Sequence, residues 1–266
     1  MDRGVALSLL VVGSTAVVSV LVRIVYLIKS IRKCRASRSG AGDEEHSGVH
    51  PVNRTDNIAK KTMVVLGSGG HTTEMIRLIE QLDPKRYTPL VYVVAESDTT
   101  SITRVRRHAS KNNSQWGDRI PFEEVEHEET KETSSRRQMT VNVHRLPRAR
   151  EVHQSYFSSV FTTLQSLVYT MRLMWKIKPQ LLLVNGPGTC VPVVYTAFMF
   201  RVLALGICCK VVFVESLCRV QTLSLTGKLA YYIVDAFVVH WPNLKAKYPM
   251  VEVSDAIHGS KKWREN

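Results

Sequence analysis

The chain has 266 residues, 44% of them hydrophobic, and a formal net charge of +13. That length holds one ordinary domain with a tail or two, and the charge asks for an acidic partner such as nucleic acid, anionic lipid or phosphate. The five cysteines, Cys34, Cys190, Cys208, Cys209 and Cys218, are odd in number and lack C-x-x-C spacing, which argues against a disulfide frame and a zinc site. Four of them fall in or beside apolar runs, where thiols act as small core residues.

Val5 to Val22 carries no charge, and the apolar stretch resumes after Arg23 and runs to Ile28. About 24 helical residues span roughly 36 Å, enough to cross a hydrocarbon core of about 30 Å. A cleaved signal peptide has a shorter apolar region and a small-residue cleavage site, so an uncleaved anchor is expected. Lys29, Arg32, Lys33, Arg35 and Arg38 follow it, whereas Arg3 on the other flank is partly offset by Asp2. The basic side stays in the cytosol, which puts the bulk of the chain there. The sequons at Asn53 and Asn112 are accordingly expected to carry no glycan. Residues 35–60 are polar and read as a linker.

From residue 61 the chain alternates strand and helix. Residues 63–66, 90–95, 141–146, 181–184, 211–214 and 236–240 read as strands, most of them continuous apolar runs. Helices are expected over 73–82, 99–109, 155–178, the apolar block beginning at Val191, and 229–233. The long helix has apolar residues at 157, 160, 161, 164, 167, 168, 171, 174 and 175, one helical stripe, and Pro179 stops it. Pro192, Gly206 and the β-branched run at 211–214 make residues 191–214 a buried helix and strand rather than a second span. Residues 110–135, with an acidic cluster, read as a surface insertion. Alternating β and α with continuous apolar strands implies a parallel sheet covered on both faces.

The first strand runs into Gly67-Ser68-Gly69-Gly70-His71-Thr72. Glycines there let a ligand approach the backbone, and the helix start offers free N–H groups to a phosphate. A tight turn with no ligand is the alternative. A dinucleotide fingerprint fits only in part, since its third glycine position is Thr72. The fourth strand runs into Asn185-Gly186-Pro187-Gly188-Thr189, a second glycine loop at a strand's carboxyl end. The fifth ends at Glu215-Ser216, where a carboxylate could bind a sugar hydroxyl or orient a base. Arg145, Arg148 and Arg150 follow the third strand and could meet a diphosphate. His71 suits a general base, because a helix N-terminus disfavours its charged form. No H-E-x-x-H, P-loop or G-x-S-x-G occurs, so metalloprotease, P-loop NTPase and serine hydrolase readings fall away.

Val64 to Thr72 resembles the opening of the asparagine-linked glycosylation 14 family. The likeness continues through Pro147 to Val152, Val184 to Thr189, Val214 to Ser216, Leu223 to Lys228 and Trp241-Pro242. The resemblance implies a Rossmann-like parallel sheet, the N-terminal half of a GT-B glycosyltransferase, preceded by one transmembrane helix. It implies the membrane subunit of the enzyme that adds the second N-acetylglucosamine to dolichol diphosphate, inactive alone. It implies His71 and Glu215 as the catalytic candidates. Gly67, Ser68, Gly69, Gly70, Thr72, Arg148, Arg150, Asn185, Gly186, Gly188, Thr189 and Ser216 would meet the acceptor and its diphosphate. No cofactor or bound metal is implied. Partners would be a cytosolic donor-binding subunit of the asparagine-linked glycosylation 13 family, the lipid-linked acceptor, the membrane and other early dolichol-pathway enzymes, with no nucleic acid. The location would be the endoplasmic reticulum membrane, single-pass.

The layout that follows is a short lumenal end at 1–4, an anchor at 5–28, a basic juxtamembrane segment and linker at 29–60, the acceptor-binding domain at 61–249, and a polar tail at 250–266. That tail departs from the family's usual ending, which helps to hold the donor subunit. Two other functions remain open on the residues alone: a membrane-tethered nucleotide-dependent oxidoreductase and an inactive scaffold for glycosylation enzymes.

Overall fold

A computed structural model describes residues 3–40, 59–111, 143–147 and 156–254. Arg148, Arg150, both sequons and the polar ending beyond residue 254 lie outside the described residues. Helix α1 (Arg3–Gly40) precedes a sheet of seven parallel strands: β1 (Thr62–Leu66), β2 (Leu90–Ala95), β3 (Val143–Leu146), β4 (Leu181–Val184), β5 (Lys210–Val214), β6 (Ala236–Val239) and β7 (Glu252–Val253). Helices α2 (Gly70–Glu80), α3 (Thr99–Lys111), α4 (Tyr156–Ile177), α5 (Cys190–Val202), α6 (Leu225–Ala230) and α7 (Pro242–Lys247) connect them.

The strand order is β3-β2-β1-β4-β5-β6-β7. The chain winds outward from β1 in one direction, then returns to pair β4 beside it, with Thr62 opposite Leu181 and Val64 opposite Leu183. That reversal leaves a crevice beyond the carboxyl ends of β1 and β4, where open α/β sheets bind ligands.

Alternation along each strand divides the core. Met63, Val65, Leu182, Val184, Val211, Phe213, Phe237 and Val239 pack with α4, α5 and the stretch around α6. Val64, Leu66, Tyr92, Val94 and Leu183 pack with α2 and α3 on the other face. Phe213 stacks on Phe237 at 4.7 Å between ring centroids, which ties β5 to β6. Arg201 and Asp235 form a 2.8 Å ion pair, and Asp235 also accepts from the Val211 N–H at 2.8 Å.

Several expectations shift. The helix expected at 229–233 lies at 225–230, because Ser224 caps it by accepting from the Gly227 N–H at 2.9 Å. Only part of the predicted apolar stripe of α4 faces the core. The buried side is carried by Ser166, Thr170, Leu173, Met174 and Ile177, while Phe161, Leu164, Val168 and Trp175 are exposed. Residues 35–40, expected to be linker, belong to α1, which stays helical to Gly40 and buries Ile31 and Arg35 against the domain. Of the thiols, Cys190 and Cys209 are core residues whose pKa burial pushes up to about 12, whereas Cys34, Cys208 and Cys218 are exposed.

Candidate active site at the switch point

The two glycine loops touch. A Cβ built on Gly67 would sit 2.2 Å from Pro187 Cγ, so only a glycine lets the second loop close over the first. A Cβ on Gly186 would lie 3.1 Å from the His71 ring, and the Asn185 side-chain amide donates to the His71 carbonyl at 2.8 Å. The rim therefore forms one surface from residues 67–72 and 185–189.

Gly69 adopts φ +69° at the position before α2, a left-handed turn that a side chain strains. Ser68, Gly69 and Gly70 are exposed, and a Cβ on Gly69, Gly70 or Gly188 would meet nothing within 4 Å. The glycines thus border open space. Into that space point the N-termini of α2 and α5, the positive ends of two helix dipoles, although on α5 the Cys190 and Val191 N–H groups already donate to the Pro187 and Gly188 carbonyls at 3.0 and 3.1 Å. Thr189 precedes α5, and its side chain makes no capping bond.

Thr72 lies beneath the loop. It is fully buried, and its hydroxyl bonds to the Gly67 carbonyl and meets Ser101 Oγ at 2.5 Å. Ser101 in turn donates to Asp98 at 2.6 Å. This chain of hydrogen bonds shapes the loop from the core side. Arg104 on α3 holds it from the solvent side by donating to the Gly69 carbonyl and, at 2.9 Å, to Thr73 Oγ1.

Glu215 is buried and braced within its own loop. One oxygen accepts from the Ser224 N–H at 2.8 Å and the Ser224 hydroxyl at 3.0 Å; the other accepts from the Ser216 N–H at 3.1 Å. A Cβ on Gly227 would lie 2.5 Å from Glu215 Oε2. The 214–216 and 223–228 motifs are therefore two halves of one packing unit.

Glu74, unnoticed in the sequence, joins these parts. Its Oε2 is 3.4 Å from His71 Nδ1, close enough for an ion pair when the ring is charged but outside hydrogen-bond geometry. Its Oε1 accepts from the Ser216 hydroxyl at 2.9 Å and the Leu217 N–H at 3.2 Å. Position i+3 from His71 on one helix face was the available signal. Burial pushes the Glu74 carboxyl upward, but the His71 ring, the Ser216 hydroxyl and the Leu217 N–H outweigh it and hold it below 4.5.

A depressed carboxylate stabilises the fold above its unfolded pKa, and that stability is lost as pH falls through the folded value. Melting of the parent and Glu74→Gln from neutral to acid pH is expected to show a gap at pH 7 that narrows below pH 4.5. A gap constant with pH would contradict this.

Behind the rim lies a cavity of about 200 Å³ lined by Glu74, Arg77, Gln81, Asn185, Glu215 and His240. Burial lowers the His240 pKa, against the pull of Glu74, so its ring is neutral at pH 7. Asn185 Oδ1, His71 Nδ1 and His240 Nδ1 are buried without a hydrogen-bond partner. Each such atom carries a desolvation cost that a polar ligand removes. Among the described residues no group of three or more His, Cys, Asp or Glu is arranged to hold a metal. Of the sequence-named site residues, Gly67 to Thr72, Asn185 to Thr189, Glu215 and Ser216 gather at this one rim, whereas Arg145 lies within β3, two strands from β1.

A doubly wound parallel sheet with paired glycine loops at its switch point defines a Rossmann-type α/β protein. Within that class the chain belongs to the Alg14 family: the profile described as "Oligosaccharide biosynthesis protein Alg14 like" matches residues 62–257. It is 41% identical over 202 residues to "UDP-N-acetylglucosamine transferase subunit ALG14" of Rattus norvegicus, covering 75% of this chain and 83% of the rat protein. The Homo sapiens protein of the same name is 42% identical over 189 residues, covering 70% of this chain and 78% of its own. Among solved structures, Acinetobacter baumannii MurG is 15% identical with a TM-score of 0.45, covering 69% of this chain and 42% of that one.

Proposed function

We propose that the chain is the membrane-anchoring, acceptor-binding subunit of the transferase that adds the second N-acetylglucosamine to N-acetylglucosamine-diphosphate-dolichol. It would recruit a cytosolic, donor-binding subunit of the Alg13 family to the endoplasmic reticulum membrane. The observation that carries this is the meeting of the two glycine loops at the switch point, beside two helix N-termini and a partnerless His71 nitrogen. The name of the relatives, a transferase subunit, supports a partner.

In this reading the exposed loop backbone and the N-termini of α2 and α5 take the acceptor's diphosphate. The acceptor sugar sits against His71 and Asn185, where one of its hydroxyls meets the orphaned Asn185 Oδ1. Its attacking hydroxyl bonds to the donor's anomeric carbon as UDP leaves, and His71 accepts the proton. Glu74 beside Nδ1 favours the tautomer protonated there, which leaves Nε2 free to act. Glu215, already held by Ser224 and Ser216, braces the rim. Arg148 and Arg150 remain proposed diphosphate contacts.

Helix α1 supplies the tether. Within it the stretch Val12–Arg38 contains an 18-residue window of mean hydropathy 1.7, no residue of which is buried. The cations after Ile28 favour a cytosolic domain. Holding the cleft at the membrane raises the local concentration of a bilayer-bound acceptor.

Purified chain and donor subunit should together transfer N-acetylglucosamine from UDP-N-acetylglucosamine to a polyprenyl-diphosphate-N-acetylglucosamine in vesicles. Neither should do so alone. Full transfer without this chain would defeat the proposal.

A further inference from the structure

Among the described residues, the exposed large hydrophobic side chains on the domain's helices all lie on α4, α5 and α6. On α4, Phe161, Leu164, Val168 and Trp175 are 72, 56, 44 and 52% exposed, a single outward stripe. Tyr195 on α5 and Leu229 on α6 continue it, while described residues of α2 and α3 expose no large hydrophobic side chain. The same face is free of negative charge. From residue 152 to 234 the sole acidic residue is Glu215, which is buried, whereas Arg172, Lys176 and Lys228 are exposed. The Lys178 ammonium lies 5.9 Å from the centre of the Trp175 ring. Exposed apolar groups fringed only by cations match an anionic lipid surface better than a mixed-charge protein surface.

Helix α1 docks on this face, against α5. Ile24, Leu27 and Ile28 are partly buried against the core and Ile31 is fully buried. Ile24 to Ile28 still belong to the apolar stretch, so no spacer separates that stretch from the domain. One turn beyond Ile31, Arg35 is 1% exposed. Its Nε and Nη2 donate to the Met250 carbonyl at 3.1 and 2.7 Å, and Nη1 donates to the Tyr231 carbonyl. The guanidinium lies over the rings of Tyr231 and Phe237, at 5.0 and 5.7 Å from their centres. A planar fork fixed by two carbonyls and two rings resists rotation of the helix on the domain.

We infer that the acid-free face of α4 to α6 rests in the head-group layer of the leaflet from which α1 emerges, and that Arg35 is the clamp holding it there. The inference rests on the reading of α1 as a membrane anchor. Lipid contact on this face fixes the height and tilt of the cleft, which a flexible tether would leave free.

The test uses the full chain in vesicles of phosphatidylcholine and phosphatidylserine, with a photo-crosslinking amino acid placed in turn at Val17, Leu164 and Thr103. Positions 17 and 164 are expected to crosslink phospholipid several-fold more than position 103 on α3. In Arg35→Met the yield at 164 should fall several-fold while that at 17 stays. Phe161→Ser with Val168→Ser, both exposed and so compatible with folding, should lower the yield at 164 in the same way. Lipid capture at 17 with none at 164, or capture of a second protein chain at 164, would overturn the proposed face. An unchanged yield at 164 in a folded Arg35→Met would overturn the clamp. Silence at 17 would instead defeat the anchor reading itself.

Discussion

Gly67→Ala is expected to destabilise the domain by about 1–3 kcal/mol, the usual cost of overpacking a closed site, and to abolish transfer. The new methyl would sit 2.2 Å from Pro187 Cγ and 2.9 Å from Pro187 Cβ. A proline ring can change only its pucker, which leaves Cβ where it is, so the two loops must part. Parting them moves Asn185 away from the His71 carbonyl and opens the floor of the crevice. Thermal melting should show a drop of several degrees. Pro187→Ala removes the closer atom and, combined with Gly67→Ala, should restore part of the lost stability. That recovery is the coupling expected of residues in contact. An unchanged melting temperature in Gly67→Ala would mean that the loops do not meet.

The second large effect falls on chemistry alone. His71→Ala should lower the transfer rate of the assembled enzyme by roughly 10²- to 10⁴-fold, the usual worth of a positioned base. The ring is half-exposed on the first turn of α2, and alanine is a good helix former there, so melting should stay within about 0.5 kcal/mol of the parent. Capture of the donor subunit should persist. Transfer lost with binding and stability intact marks His71 as chemical. Retained transfer would shift the proton to another acceptor or reduce the chain to a scaffold.

The parts legible in the sequence are those set by local pattern. Continuous apolar runs ending in glycine, such as 63–66 and 181–184, mark buried parallel strands because both faces of such a sheet are covered. The two glycine loops were readable as one edge because successive strands of a parallel sheet end on the same side. Which strands neighbour one another was not: β1 beside β4 is a product of winding, and it brings Gly67 against Pro187.

Faces of helices were harder. The α4 pattern gave the helix but not its orientation, since small polar residues such as Ser166 and Thr170 bury well once their hydroxyls are bonded within the fold. Ser166 donates to the Pro147 carbonyl at 3.0 Å and Thr170 to the Ser166 carbonyl at 2.7 Å. Arg35 read as one of several juxtamembrane cations. Only the meeting of α1 with Tyr231 and Met250, about 200 residues away in sequence, accounts for its burial. Glu74 lay in plain view three residues after His71, but its second partner, Ser216, comes from another strand end.

The central claim is that both glycine loops embrace one lipid-linked diphosphate at the switch point. Amide hydrogen exchange of the full chain in vesicles tests it directly, with and without a polyprenyl-diphosphate-N-acetylglucosamine. Slowed exchange is predicted in residues 67–72 and 185–190 together, on addition of that acceptor and not of UDP-N-acetylglucosamine. Slowing at only one loop, or at neither while exchange falls elsewhere, would contradict the account.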